Sequence, residues 1–421
     1  MRVCVIGGGY VGLVTGSCLA ELGHNVVIID IDEKKVLSIN EGKPPLFEAG
    51  LEEIVKKHIG KNLSATCSFF PVKDAELTMI CVGTPPDNSG NADLHYVRSA
   101  SESVGRALRN QDKKHYVVVK STVPPGTTDG LVRETVLSEA GRENIAFGMN
   151  PEFLREGRAV WDFFHPDRIV IGCHEQDLFD CMKRLYQGIE APVIQVLPTE
   201  AEMIKYVSNA FLATKISFSN EIGNICKRMG IDVYRVMEGV GLDRRIGKEF
   251  FNAGVGFGGS CFPKDVMALA RFAEGMGVEP CILKSVLSVN EDQPGKMISL
   301  LEKRVGGLHG KRIAVLGLAF KDNTDDIRES RAIPVIRMLR ERGAHVAAYD
   351  PLAIPAMKEV FPDIDYGTTP EAVLEGADAC LILTEWPEFS RLDKEFDLMN
   401  NRVIIEGRRV LKTHGYEGIC W

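Results

Sequence analysis

The 421-residue chain has no apolar run of about 18 uninterrupted residues, the length a helix needs to cross a bilayer, so no membrane-spanning helix is expected. Its eleven cysteines, at positions 4, 18, 67, 81, 173, 181, 226, 261, 281, 380 and 420, are odd in number and include no C-x-x-C pair. That scatter argues against a zinc site or a disulfide framework, so no metal is expected, and it fits a reducing cytosol. No basic run is long enough to make a nucleic-acid surface, and the net charge is −8. An acidic chain that takes an anionic ligand must hold it with a few local Arg, Lys or backbone N–H groups. The opening MRVCVIGGGYVGL carries glycines and no cleavage pattern, which argues against a signal peptide.

What is present is the composition of an ordinary globular protein, 45% hydrophobic and 26% charged, long enough for two or three domains with substantial cores. Residues 3–6 form a short apolar run of the kind found in parallel strands buried on both faces. Gly7, Gly9 and Gly12 follow in the G-x-G-x-x-G spacing, then a helical pattern to about residue 22, a second apolar strand over 25–29, and Asp30. The first glycine permits a tight turn, the second lets a pyrophosphate approach the backbone, and the third lets helix and strand pack closely. The helix N-terminus turns its N–H groups to the phosphates. An acid at position 30 suits a ribose diol and repels a 2′-phosphate, so NAD is expected over NADP. Asp32 and Lys35 read from pattern alone as solvated residues.

Two more strands are expected over 77–82 and 116–119, ending in Gly83-Thr84-Pro85 and Lys120-Ser121-Thr122. Ligands of open α/β sheets gather at the carboxyl ends of strands. Thr84, Ser121 and Thr122 therefore either face a cofactor or cap and turn the chain, and for Thr84 the two readings weigh equally. A further strand ends near Asn150, followed by Glu152 and Glu156; if that segment is helical, the two acids share a face. His165, before a proline in an apolar context, reads as structural.

Residues 199 to about 228 have helical periodicity, with Thr199 and Glu202 as a possible capping box. Lys205 and Asn209 lie four apart on an apolar face. Lys205 either snorkels to water or joins Asn209 in presenting donors to a developing oxyanion. Beyond this helix comes GVGFGGSCFPKD, residues 254–265, in which four glycines lead into Cys261, with Lys264 and Asp265 behind it. Lone cysteines are usually small buried hydrophobes. The glycine approach and a lysine able to favour the thiolate make Cys261 a candidate nucleophile instead. Further helices are expected over 266–276 and 280–305. Residues 311–351 then echo the opening: KRIAVLGLAF matches MRVCVIGGGY, and RERGAHVAAYDP matches AELGHNVVIID. The expected fold is α/β: two doubly wound Rossmann-like domains, over 1–198 and 307–421, joined by a long-helix domain over 199–306 that carries Cys261. The second copy lacks G-x-G-x-x-G and gains Lys321, Asp325, Asp326 and Arg328, with Arg408 and Arg409 further on. Its cations suit phosphates other than those of the first dinucleotide.

GGGYVGL, CVGTP, KSTVPPGT, NPEFLREG, EMIKYVSNAFLATKISFSNE, GVGFGGSCFPKD and GLAFKDNTDDIRES occur in family order over essentially the whole chain. Together they resemble the nucleotide-sugar 6-dehydrogenases of the UDP-glucose/GDP-mannose dehydrogenase family. The resemblance implies a cytoplasmic oxidoreductase that takes a primary alcohol to a carboxylate with two NAD and one water, through a thiohemiacetal and a thioester on Cys261. UDP-glucose is the expected substrate, with polysaccharide precursors as its product class. GDP-mannose is the sister alternative, and a non-catalytic NAD-binding scaffold is the reading of a different class. The resemblance also implies that Lys205 and Asn209 stabilise oxyanions, that Asp265 and Thr122 handle protons or orient water, and that Glu152 assists thioester hydrolysis. Cofactor contacts would come from Gly7, Gly9, Tyr10, Val11, Gly12, Asp30, Lys35, Thr84, Thr122, Glu156, Lys264 and Arg328. Substrate contacts would come from Glu152, Phe153, Leu154, Lys205, Asn209, Phe250, Gly258, Lys321 and Arg408, with Arg245 reaching a neighbouring subunit in a homodimer or higher homo-oligomer. Two departures stand out: Glu406 where relatives often have Asp, and Asp322 where they often have Pro or Lys.

Overall fold

The computed structural model describes residues 1–412 and 416–421 and divides into two compact units, Met1–Ser208 and Asn209–Trp421. In the first unit, eight strands form one sheet: β1 (Arg2–Ile6), β2 (Asn25–Ile29), β3 (Leu63–Thr66), β4 (Leu77–Ile80), β5 (His115–Val119), β6 (Ile145–Met149), β7 (Ile169–Cys173) and β8 (Val193–Val196). Their order is β3-β2-β1-β4-β5-β6-β7-β8, parallel throughout except where β6 meets β7. The alternation of side chains along a strand sends Val3 and Val5 of β1 into one hydrophobic core and Cys4 and Ile6 into another. Both faces are thus apolar, which is why these strands read as continuous hydrophobic runs. The reversal of strand order beside β1 puts the carboxyl ends of β1 and β4 at the position where open α/β sheets take their ligands.

Pro198–Met229 is a single helix of 32 residues that begins in the first unit and continues into the second. The capping box expected at its start does not form. Glu202 is buried, and its carboxylate instead accepts hydrogen bonds from the Gly126 and Thr128 N–H groups at 2.6 and 2.8 Å and from the Thr128 hydroxyl at 2.6 Å. Burial outweighs these donors and pushes the Glu202 carboxyl up to about 7. The helix is tied in this way to the loop that follows β5, a partner 74 residues away that no local pattern encodes.

The second unit holds a six-stranded, all-parallel sheet made of β9 (Arg312–Leu316), β10 (His345–Tyr349), β11 (Asp365–Tyr366), β12 (Ala379–Ile382), β13 (Ile404–Glu406) and β14 (Glu417–Gly418), in the order β11-β10-β9-β12-β13-β14. That order repeats the first six strands of the other sheet, as an internal duplication requires. The duplicated acid has changed its work. Asp350, at the end of β10, stands where Asp30 stands after β2, but it is buried and filled by the N–H groups of Leu318, Ala319, Leu352 and Ala353 and by the Trp386 indole. With those five donors on it, Asp350 braces its own loops. The two helices expected after Cys261 are present as Phe262–Gly275 and Cys281–Val305. Among the described residues, no helix is long and apolar enough to cross a membrane.

Candidate active site

In the first unit the chain turns at Gly7, whose φ of +105° is open to glycine and strained for other residues, and enters the helix Tyr10–Glu21. A Cβ at Gly12 would lie 1.9 Å from the Gly7 carbonyl oxygen, so helix and strand pack as closely as backbone allows. A Cβ at Gly9 would meet nothing within 4 Å, and no side chain caps this helix N-terminus. The turn is therefore a cradle with open space in front of its second glycine and unclaimed N–H groups behind it, the arrangement a pyrophosphate fits. Asp30 accepts from Gly8 N–H at 2.6 Å and Asp32 N–H at 2.9 Å, which fixes its carboxylate beside the cradle. Asp32 caps the next helix through the Lys34 and Lys35 N–H groups. Tyr10 and Val11 are the first two residues of the dinucleotide helix, half-buried.

Thr84 is buried, and its hydroxyl donates to the Thr122 carbonyl at 2.8 Å, joining the loops after β4 and β5. The Ser121 hydroxyl turns inward to the Ile80 and Val82 carbonyls. His165 stacks on Trp161 with ring centroids 3.7 Å apart, a structural partnership.

Glu152 and Glu156 do not share a helical face. The segment after Asn150 is irregular, and the helix begins only at Ala159, so the two acids lie on a loop. Lys205 does not snorkel. It is 3% exposed, and its ammonium lies 2.8 Å from the Glu152 carboxylate, itself 8% exposed. Burial alone would raise the Glu152 carboxyl, but the Lys205 charge, the Leu154 N–H at 2.6 Å and the Lys120 charge together hold it below the usual carboxylate range. The loop thus carries an ionised acid beside a buried cation, with Phe153 stacked under Arg168, 3.9 Å from ring centroid to guanidinium. Lys120, which the sequence placed only at a strand end, is a second buried cation, held by the Asn150 side-chain oxygen at 2.9 Å and the Tyr186 hydroxyl at 3.2 Å.

In the second unit, Cys261 is half-buried and immediately precedes the helix Phe262–Gly275, where the positive end of the helix dipole favours an anion. Its Sγ lies 3.6 Å from the Ser260 hydroxyl. One turn on, Asp265 is 1% exposed and accepts from the Asn209 amide at 2.6 Å. The Lys264 ammonium is committed to Asp265. The helix end is one source of positive charge beside the thiol, and Lys264, the group the sequence pointed to, is also ion-paired with Asp265.

The glycine loop before Cys261 is shaped by buried amides that sequence reasoning passed over. Asn220 accepts from Gly254 N–H at 2.7 Å, Asn290 accepts from Phe257 N–H at 2.7 Å and donates to its carbonyl at 3.1 Å, and Gln293 donates to the Gly254 carbonyl at 2.7 Å. The one available signal was polar residues three apart on an otherwise buried helix face. A Cβ at Gly258 would lie 2.2 Å from the Glu329 carbonyl oxygen, so only glycine lets this loop press against the chain beside Arg328. The Arg408 guanidinium donates to the Gly256 carbonyl and lies 3.4 Å from Glu385. Phe320, next to Lys321, packs on Gly259. Gly258, Cys261, Lys321, Arg328 and Arg408, far apart in sequence, are thereby brought to one loop cluster. Arg409 is diverted to Asp232, at 2.8 Å.

The two departures have structural consequences. Glu406 accepts from Val410 and Leu411 N–H groups and shapes the turn that projects Arg408. Burial and the neighbouring Glu385 raise the Asp322 carboxyl. Arg245 is 89% exposed in its side chain and pairs with Asp243, two residues before it; Phe250 holds a φ of +65° near Phe262.

Comparison with known proteins bears on this arrangement. Residues 1–190, 199–292 and 314–413 match, in turn, the NAD binding, central and UDP binding domains of one family. The chain is 45% identical to the UDP-glucose 6-dehydrogenase of Haloferax volcanii, covering 98% of this chain and 97% of that one. It is 44% identical to a UDP-glucose 6-dehydrogenase of Bacillus subtilis, covering 97% and 89%. A solved UDP-glucose dehydrogenase from the hyperthermophilic archaeon Pyrobaculum islandicum superposes with a TM-score of 0.96 at 47% identity, covering 100% of this chain and 98% of that one. With an NAD-binding unit built on an open glycine cradle and a cysteine loop held by buried amides, the chain belongs to the UDP-glucose/GDP-mannose dehydrogenase family.

Proposed function

We propose that this enzyme oxidises the C6 primary alcohol of UDP-glucose to a carboxylate, consuming two NAD and one water. The observation that carries the reading is Cys261, half-buried at a helix N-terminus behind a glycine loop fixed by Asn220, Asn290 and Gln293. A four-electron oxidation needs a way to hold the aldehyde between its halves, and a thiol supplies it. NAD, when bound, accepts a hydride from the sugar carbon in each half. The residues suited to hold it are Gly7, Gly9, Tyr10, Val11, Gly12 and Asp30, with Lys35, Thr84, Thr122, Glu156, Lys264 and Arg328 as further contacts.

The chain's own groups carry the rest. The Cys261 sulfur adds to the aldehyde carbon while the carbonyl oxygen takes a proton, giving a thiohemiacetal. Loss of a hydride and that proton leaves a thioester. Water then adds to the thioester carbon, the C–S bond breaks, and sulfur leaves as the thiolate. Asn209 keeps a second amide hydrogen after donating to Asp265 and is assigned to the oxyanion; Lys205 supplies a fixed positive charge for the same purpose. Glu152, ionised by its environment, is suited to accept a proton from the attacking water, and Asp265 and Thr122 to orient it. Phe153, Leu154, Phe250, Gly258, Lys321 and Arg408 are assigned to the nucleotide sugar. In this reading the segments 1–198, 199–306 and 307–421 bind NAD, supply the nucleophile and bind the nucleotide.

Measuring NADH released per sugar consumed tests the reaction. Two NADH per UDP-glucose are expected. One per sugar, or turnover confined to GDP-mannose, would overturn it.

The active form is assigned as a homodimer or higher homo-oligomer. Val207, Phe211, Phe218, Ile225 and Met229, 48 to 67% exposed, form one apolar stripe along the long helix, of the kind that marks a protein interface. Arg245 is the residue assigned to reach the neighbour's substrate. Phe218→Glu is expected to yield monomers by sedimentation and to lose most activity; an active monomer would rule the assignment out. A reducing cytosol is the compartment assigned to the enzyme, a reading that the eleven cysteines, none in a disulfide, support and that a disulfide found in the native protein would contradict.

A further inference from the structure

Glu48 belongs to none of the motifs above. It lies on the loop before the helix Leu51–His58 and is 5% exposed. Three neutral donors hold its carboxylate: the Tyr10 hydroxyl on Oε2, the Gly157 N–H on the same oxygen at 2.8 Å, and the Ala159 N–H on Oε1 at 2.7 Å. Burying a carboxylate against neutral groups is costly compared with an apolar side chain of similar size, so stability alone does not account for it.

The positions of the three donors supply a reason. Tyr10 is the first residue of the dinucleotide helix, next to Gly9. Gly157, with φ +82°, directly follows Glu156 and closes the loop that carries Glu152, Phe153 and Leu154. The other side of that loop is fixed by Asp162, which accepts from the Arg155 N–H at 2.9 Å and from its guanidinium at 2.9 and 2.6 Å. The loop has no regular secondary structure, yet carboxylates brace it from both sides. Of the two braces, Glu48 is the one that also grips the glycine turn.

We propose that Glu48 is a positioning residue that couples the dinucleotide turn to the substrate loop, so that a dinucleotide bound at Gly9 orders residues 152–159 and changes the affinity for the nucleotide sugar. The identity of that sugar rests on the function proposed above; the coupling rests on the three hydrogen bonds. By linkage the effect is reciprocal: the sugar must change the affinity for the dinucleotide by the same factor. The Tyr10 hydroxyl is the signalling contact, because a shift of the helix start is the motion that pyrophosphate binding imposes most directly.

The test compares wild type with Tyr10→Phe, which removes one hydroxyl and leaves both backbone bonds to Glu48. Amide hydrogen exchange over residues 152–159 is followed with and without NADH, a dinucleotide that supports no forward turnover. In parallel, the Kd for UDP-glucose is measured by calorimetry with and without saturating NADH. In wild type, NADH is expected to slow exchange at Gly157 and Ala159 and to change the Kd by roughly fivefold or more. In Tyr10→Phe both responses are expected to collapse, the Kd ratio falling to within about twofold of unity, while thermal stability stays near wild type. Glu48→Gln is expected to behave likewise, and it serves if the tyrosine variant folds poorly. A purely structural Glu48 would lower stability and leave the NADH responses intact. Unchanged exchange in wild type on adding NADH, or a full response retained in Tyr10→Phe, would overturn the coupling. If UDP-glucose fails to bind while the exchange response behaves as stated, the substrate assignment is wrong and the coupling is supported.

Discussion

Replacing Cys261 with serine is expected to lower turnover by about four to six orders of magnitude, the range seen when an essential nucleophile is removed. Binding of UDP-glucose and NAD is expected to stay near wild type. The physical reason is that the fold around Cys261 does not depend on its sulfur: Asp265 N–H donates to the Cys261 backbone carbonyl at 2.9 Å, and the preceding glycines are held by Asn220, Asn290 and Gln293. Serine keeps the shape and the backbone bonds. What it lacks is a group that ionises near neutrality, adds to an aldehyde and then departs readily from an acyl carbon. NADH formation in the steady state, with calorimetry for each ligand, decides the matter. A serine variant that still releases two NADH per sugar at the wild-type rate removes the covalent mechanism, whatever the enzyme's substrate.

The second large effect is expected at Lys205. Lys205→Met leaves the Glu152 carboxylate buried without its nearest cation, and breaking a buried pair from one side costs about 3–5 kcal/mol. Turnover should fall with it, because the fixed charge assigned to the oxyanion is gone. Adding Glu152→Gln to the same chain is expected to restore most of the stability and none of the activity, which separates the structural cost from the chemical one. The pH dependence has a definite sign. Because the Glu152 carboxyl is held below its ordinary value of 4.5, its stabilisation is fully present above that value and is lost as the pH falls through the lower folded value. The stability gap between wild type and Lys205→Met should therefore be full at neutral pH and close in acid. Urea unfolding followed from pH 7 down into the range below the folded Glu152 value measures it; equal stability of wild type and Lys205→Met at pH 7 would show that the pair is not buried in solution.

Local pattern was informative where one residue's backbone or side chain acts over a few neighbours. The alternation of apolar strands with helical segments acts within a turn or a strand and appears in the structure as read, and Gly7, Gly9, Gly12 and Asp30 lie at the turn and the strand end where their spacing put them. The duplication was legible because each half repeats the same short-range code, and the two sheets share their strand order. The misreadings share a cause. Thr199 and Glu202 have the spacing of a cap, but Glu202 finds better donors 74 residues away. Glu152 and Glu156 have the spacing of a helical pair, but Asp162 and Glu48 hold their segment as a loop.

The chain's sequence by itself determined its elements, their order and the chemical types gathered in its motifs, since these follow from side-chain period and backbone freedom. Tertiary structure alone decided which charges are paired and which oxygens are already filled. Asp30 and Asp350 are the same residue type at equivalent places in two copies of one fold, and only packing made the first a neighbour of an open cradle and the second a brace sealed by five donors. Electrostatics and hydrogen bonding depend on distance through space, and in a folded chain that distance bears little relation to separation along it.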